Sequence, residues 1–450
     1  MRKRTVKILK IIAIVLVVLS LIYAVAVGVS SAKLRKAYAA LEKAGRPMEP
    51  ADVIPPDVQD SENAALLYES AILLLKAQPA PEGNLLEYLG GLSDKFLKES
   101  LEPDKFSELQ QLIEQDVVTQ ALSVVEQGAQ RRSCRFEHDY KAGFNMLLPN
   151  LGGFRNIIRI IGTKSCLEAE AGRPDAAWEL AQVQLKFADS LRNEPILISF
   201  LVRLASIRTS CETIQRICKT ASPNIEQYRN IESLLLDYED RTPLVLALDG
   251  ERLLCGEWAF NLLKNGSFGQ LSASTGAESG LGEALLSLYS AFKPLSLADH
   301  AAYVRIMGNY TRLVQSGSSD GHSPNETSAM IRKVEQTRSR LYVITSILEP
   351  AIGRVNELYA ELIAQLRITR AGLALLQERK AQGAFPETLE ELKIENLDDP
   401  FSNEPLAYKP QEQGFIIYSV GPDQKDNGGN PKEKKQKTDW DIVWTYTGGR

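Results

Sequence analysis

Between Ile11 and Ala32 the chain carries no charged residue for 22 positions. A helix of that length, at about 1.5 Å per residue, spans about 33 Å, enough for a bilayer core of about 30 Å. Arg2, Lys3, Arg4, Lys7 and Lys10 precede the run, and Lys33, Arg35 and Lys36 follow it. The heavier basic cluster on the N-terminal side favours a cytoplasmic N-terminus by the positive-inside bias. The bulk of the chain is then expected outside the cytoplasm, as in a single-pass inner (cytoplasmic) membrane protein with a periplasmic or extracytoplasmic body. The competing reading is a cleaved signal peptide. Cleavable apolar cores run about 7–15 residues, shorter than this one, although Ala26, Gly28 and Ser30 are small enough for a cleavage site. The reading is therefore a signal-anchor over residues 11–32, preceded by a cytoplasmic basic segment over 1–10.

Composition narrows what the rest can be. Apolar residues make up 44% and charged residues 24%, which fits a globular body and not a disordered chain or a multi-span transporter. A net charge of −5 argues against a nucleic-acid partner. Five Cys are too few for a disulfide scaffold, and three His leave little for a His-rich metal site.

The expected fold class is mainly α: a transmembrane helix, an irregular array of α-helical hairpins, and a small C-terminal α+β module. Residues 33–60 read as a helical stalk and a Pro-rich linker carrying Pro47, Pro50, Pro55 and Pro56. The array occupies 61–350. Asp60 or Ser61 is expected to cap a first helix ending at Lys76. Further helices are expected over Pro103–Gln127, Phe154–Ala171, Asp175–Leu191, Ile196–Thr220, Pro223–Tyr238, Leu244–Lys264, Leu281–Ala291 and Ala298–Ser316. Gly172-Arg173-Pro174 punctuates one hairpin with a Gly stop and a Pro start. The stretches Asn265–Gly280 and Ser316–Asn325 read as loops. A long helix over Asn325–Gln382 is expected to kink or split at Pro350. Its positions Ile352, Val355, Tyr359, Leu362, Leu366, Thr369, Leu373 and Leu376 alternate three and four apart, a seam for the array, the C-terminal module or a partner helix.

The last segment, 351–450, joins this long helix to a module of different composition. A short Pro-initiated helix at Phe385–Leu392 precedes three β-like runs, Leu406–Lys409, Phe415–Ser419 and Ile442–Thr445. They are expected to form a three-stranded antiparallel sheet packed on the long helix, since so small a sheet needs its apolar face covered.

Three motifs in this segment carry a resemblance. They are Gly383-Ala-Phe-Pro-Glu-Thr-Leu-Glu-Glu-Leu392, Asp399-Pro-Phe-Ser-Asn-Glu-Pro-Leu-Ala-Tyr408, and Phe415-Ile-Ile-Tyr-Ser-Val-Gly-Pro-Asp423 with Gly428-Gly429 and Asp441-Ile442. In order and spacing they resemble the C-terminal half of the major pseudopilin of type II secretion systems. The resemblance covers roughly residues 365–445. It departs at the other end: residues 1–32 contain no Glu and no pilin processing site, so a fibre subunit is not expected. More loosely, Ser61-Glu-Asn-Ala-Ala-Leu-Leu-Tyr68 and Glu194-Pro-Ile-Leu-Ile-Ser-Phe-Leu-Val202 give the chain a likeness to single-span bacterial envelope proteins with such a tail.

Major pseudopilins bind Ca²⁺ in the loop after the third motif, and the resemblance implies a site here drawing on Ser419, Asp423, Asp426, Asn427, Asp439 and Asp441. Ca²⁺ takes six to eight oxygens. Lys432, Lys434, Lys435 and Lys437 in the same loop oppose a cation, and ordinary turn chemistry is the alternative for these residues.

No catalytic motif is present: no Walker A loop, no H-E-x-x-H, no G-x-S-x-G and no C-x-x-C. Cys211 and Cys218 read as buried side chains, while Cys134, Cys166 and Cys255 could supply one disulfide. His138, in Phe136-Glu-His-Asp-Tyr140, and His300 read as structural. Glu251 and Glu257 are six apart, not quite on one helical face, and form a weak candidate carboxylate pair. The leading expectation is a membrane-anchored extracytoplasmic scaffold or interaction protein, with secretion or pilus-like components as partners. The alternative is an envelope hydrolase using carboxylates in a groove of the array. A cleft lined by two or more perturbed carboxylates would favour the enzyme, and an apolar groove would favour the scaffold.

Overall fold

A computed structural model of the chain describes residues 2–146, 148, 150–267, 269–271, 280–319, 324–335, 342–432, 436 and 439–448. The uncharged run lies in α1, Arg2–Lys43, a single helix that continues into the expected stalk. This helix is long and apolar enough to cross a membrane, and the rest of the chain does not bury its most apolar window.

The array begins with α2, Ala64–Lys76. Its cap is Asn63 and not Asp60 or Ser61: the Asn63 side chain accepts from the Ala65 N–H at 3.1 Å. The same carboxamide accepts from Arg135 N and donates to Arg135 O, both at 2.9 Å, so a distant segment sets where the helix starts. A helix absent from the sequence reading follows, α3, Leu85–Lys98, which Asn84 caps. Gly90 within it meets the Asn156 side chain so closely that a Cβ would clash. The helix expected over Pro103–Gln127 is two, α4 (Pro103–Ile113) and α5 (Asp116–Ala129).

Next come α6 (Asn150–Glu170) and α7 (Pro174–Asp189), the hairpin announced by Gly172 and Pro174. Gly172 adopts a positive φ of 74° and Pro174 opens α7. They are followed by α8 (Leu197–Ile217) and α9 (Ile225–Asp237). Helix α6 packs against α3, α7 and α8, and α2 packs against α5, which makes one continuous core. The next helix changes character partway. It runs as α10 (Thr242–Gly250), a π-helical turn (Glu251–Gly256) and α11 (Glu257–Asn265). Most of the expected loop Asn265–Gly280 lies outside the described residues. The remaining helices are α12 (Gly280–Ala291), α13 (Lys293–Ser319), α14 (Pro324–Glu335) and α15 (Val343–Gln382). Helix α13 runs beside α1. It extends to Ser319, past the expected loop start at Ser316, and the adjoining residues 320–323 lie outside the described residues.

Helix α15 is continuous through Pro350, so the expected split does not occur there. Of its three-four seam, Val355, Tyr359, Leu362, Leu366, Thr369, Leu373 and Leu376 are all buried within the chain. No free seam is left for a partner helix along that stretch. Ala360, Ile363, Ala364, Ile368 and Leu375 are buried as well, and between Tyr359 and Leu376 only Glu361 and Arg367 are partly exposed. That stretch of the helix is interior: α8 and α9 pack against it, and so does the terminal sheet. Arg370, also buried, pairs with Glu239 at 3.0 Å, and Arg367 meets the same carboxylate at 3.0 Å.

The sheet has the order β1-β2-β3, all antiparallel: β1 Ala407–Gln411, β2 Gly414–Ser419, β3 Ile442–Tyr446. The short helix before it is only a 3-10 turn, Leu389–Leu392, closed by a capping box between Thr388 and Glu391. On the face toward α15, Phe415, Ile417 and Trp444 are buried. Trp444 lies directly over Gly372 of α15, where a Cβ would collide with the indole.

Gly372→Ala should therefore destabilise the protein despite the better helix former. Overpacking costs about 1–3 kcal/mol against a propensity gain of up to about 1. Denaturant unfolding would read the loss; an unchanged or raised midpoint would contradict the packing.

Candidate functional site

The π-helical turn owes its place to two glycines. Gly250 faces the Pro195 carbonyl and Gly256 faces the Tyr303 ring, each too closely for any side chain. Such one-turn bulges are frequent at functional sites. Arg252 in the turn is buried and reaches the Pro47 carbonyl and, at 3.6 Å, the Asp249 carboxylate. Arg46 forms an ion pair with the same Asp249 and donates to Gln315 at 2.8 Å. The segment leaving the stalk is thus held to the turn by two guanidinium groups on one carboxylate.

Beside this joint lies a groove of about 830 Å³. One wall is the stalk and linker: Tyr38, Met48, Pro50 and Ile54. The other is the turn and α11, with Leu253, Leu254, Glu257 and Trp258. Glu257 opens α11 and is the one carboxylate among the described residues that line the groove. Tyr38 donates to Glu257 Oε1 at 2.7 Å, and His300 Nε2 lies 2.9 Å from Oε2 and 3.1 Å from the Tyr38 hydroxyl. The imidazole stacks on Phe260 at a centroid distance of 4.1 Å. Burial pushes the Glu257 carboxyl up, but the His300 hydrogen bond and charge, the Tyr38 hydroxyl and Arg252 outweigh it and hold it below the ordinary range. Glu257 and His300 are a sequence-stated weak candidate and a residue read as structural; a separation of 43 positions gave no signal of their contact.

Glu251 does not share the groove. Its carboxyl is desolvated inside the turn, which pushes it up to about 7, with the Cys255 thiol and the Leu197 N–H pulling the other way. The two glutamates thus sit in separate surroundings and do not form a carboxylate pair across a cleft.

His138, the other histidine of interest, is buried with its Nε2 2.8 Å from the Glu194 carboxylate. It ties the 131–145 segment to the chain entering α8. All five cysteines are free in this structure, including Cys134, Cys166 and Cys255, which could have supplied one disulfide; four of the five are buried, Cys211 and Cys218 among them.

In the terminal module the expected metal ligands are largely engaged in turns. Ser419 donates to Asp399 at 2.8 Å, and Asp399 also accepts from Phe401 N and Val420 N. Asp426 accepts from Tyr418 and from Gly428 N. Asp441 accepts from Gly429 N at 2.7 Å and Asn430 N at 3.2 Å. Asp423 accepts from Asp439 N at 2.7 Å, and the Asp439 carboxylate lies 3.9 Å from Lys425 Nζ. The Asn427 Nδ2 group lies among several of these oxygens. It contacts Asp423 and Asp441 oxygens at 3.4 Å each and the Lys425 carbonyl at 3.0 Å. Among the described residues no group of three or more His, Cys, Asp or Glu side chains converges as a metal cluster. Lys434, Lys435 and Lys437 lie outside the described residues.

In comparison with known proteins, the chain matches no family model, no curated protein and no solved structure.

The raised Glu251 group sets a pH dependence. The native state holds its proton up to about pH 7, whereas the unfolded chain releases it near 4.5. The native state therefore binds more protons between these values, and stability falls as pH rises through that window. Glu251→Gln should remove this loss, gaining on the order of 3 kcal/mol at pH 8 and little at pH 4. Equal effects in chemical denaturation at the two pH values would contradict the buried-acid assignment.

Proposed function

We propose that the chain is a membrane-anchored extracytoplasmic scaffold that engages protein partners, with its N-terminus cytoplasmic, its body periplasmic, and its terminal module directed at a secretion or pilus-like assembly. The observation that carries this reading is the character of the groove. Its walls are mainly apolar and among the described residues it is lined by one carboxylate, Glu257, where a glycosidase-type hydrolase uses two across a cleft. Apolar grooves of this size bind through shape and burial. The basic excess before the span supports the orientation, and the motif order in the tail supports the link to secretion.

The test is capture of the full-length protein from crosslinked membranes, with partners identified by mass spectrometry. Helix α15 belongs to both array and module, so the control lacking the module must end at Gly383 and be checked for retained cooperative unfolding. Secretion or pilus-like components should co-purify with the full chain and be lost, by about tenfold or more, with the shortened one. Equal recovery from both would remove the module from the interaction, and recovery of no such component would end the secretion link.

The second reading, an envelope hydrolase, has one observation in its favour: the Glu257–His300–Tyr38 set at the groove wall. A hydrolytic activity of the purified protein that disappears in Glu257→Gln would replace the scaffold reading.

Ca²⁺ binding, which the tail resemblance implies, is a separate proposal. Calorimetry of the intact protein should show heat with Ca²⁺ and a weaker affinity in Asp423→Ala. No heat with the unaltered protein would dismiss it.

A further inference from the structure

The hairpin α12–α13 meets the membrane helix below the point where that helix leaves the apolar layer. Tyr23 of α1 stacks obliquely on Phe292 at a centroid distance of 5.9 Å and reaches the Ala291 carbonyl at 3.5 Å. Ser30 donates to the Pro294 carbonyl at 2.8 Å. Tyr23 and Ser30 both belong to the uncharged run that ends at Ala32. At about 1.5 Å per residue they lie about 14 Å and about 3 Å inside its end. Whatever touches them from the array must share that depth.

The composition and exposure of the tip fit such a place. From Ala284 to Phe292 there is no charge, and Lys293 is the one charged residue before Asp299. Leu288 and Phe292, one helical turn apart, are 71% and 53% exposed. Other exposed large apolar residues of the array, such as Leu73 of α2 and Ile225 of α9, lie on helices without extensive contact to α1. The Lys293 chain is long enough to carry its ammonium toward the headgroups while its stem stays among apolar groups.

The hairpin is also held rigidly. Asp299 near the start of α13 accepts from the Tyr289 hydroxyl of α12 at 2.6 Å and from Ile344 N and Thr345 N at the start of α15, at 2.9 and 3.2 Å. Ser290 donates to the Leu263 carbonyl of α11 at 2.9 Å. The tip cannot swing away from α1 without breaking this joint.

We propose that the tip of the α12–α13 hairpin, Leu288 to Leu297, is a second membrane contact, embedded among the lipid acyl chains of the leaflet on the array's side. The proposal rests on α1 spanning the bilayer. It makes the protein a body seated on the membrane by two elements, one crossing and one dipping.

The test places a photoreactive benzoylphenylalanine in turn at Leu16, Leu288, Phe292 and Leu236 of the full-length protein, reconstituted in phosphatidylcholine vesicles. Leu16 lies in the span, and Leu236 is exposed on α9 of the array. Lipid adducts read by mass spectrometry should form at positions 288 and 292 within about threefold of the yield at 16, and at least about tenfold above that at 236. Adducts at 16 with none at 288 and 292, or crosslinks from those two positions to protein and not to lipid, would overturn the proposal while leaving the anchor intact. No adduct at 16 would overturn the anchor and the proposal together.

Discussion

One buried carboxylate, Asp249, pairs with Arg46 from the foot of the stalk and lies 3.6 Å from the Arg252 guanidinium of the π-helical turn. Removing one partner of a buried ion pair leaves an uncompensated charge and costs about 3–5 kcal/mol. The angle at which the chain leaves α1 is therefore set by the array. Two consequences follow from that joint. The groove keeps its width, since one wall is stalk and linker and the other is α11. The hairpin α12–α13 keeps its place against Tyr23 and Ser30, since α13 runs along α1.

A second joint lies at the far end. Glu239 after α9 takes Arg367 and Arg370 of α15, and Arg367 also donates to the Asp398 carbonyl at 2.6 Å. Helix α15 serves as the floor of the terminal sheet and as a wall of the array. The chain is accordingly not a string of separable parts, and its tail is presented in one fixed orientation. Rigid presentation lowers the ordering cost of association, which suits a scaffold better than a flexibly tethered head.

What could be read from the sequence was whatever rests on local pattern. The uncharged run from Ile11 to Ala32 announces its helix, Gly172 and Pro174 announce a hairpin, and alternation announces the strands, with Phe415 and Ile417 on the buried face. What could not be read depends on residues far apart. Helix α3 is absent from the sequence reading; its Gly90 and Gly91 lower helical propensity, although Gly90 leaves room for Asn156. Asn63 caps α2 because Arg135 holds it, 72 positions away. The π-helical turn forms where Gly250 meets Pro195 and Gly256 meets Tyr303, contacts that have no trace in helical periodicity. The candidate site shows the same division. Glu251 and Glu257 form only a weak pair by spacing, and the fold alone separates a desolvated acid from a groove-lining one and supplies His300 and Tyr38 to the second.

The central claim is that this body rides on a membrane-spanning helix that stays attached to it. Alkaline extraction of membranes containing the full-length protein, followed by intact mass measurement of the pellet, tests it most directly. The account predicts that the protein remains in the pellet and that residues 11–32 are still part of it. Release into the supernatant, or a mature chain lacking that segment, would contradict it.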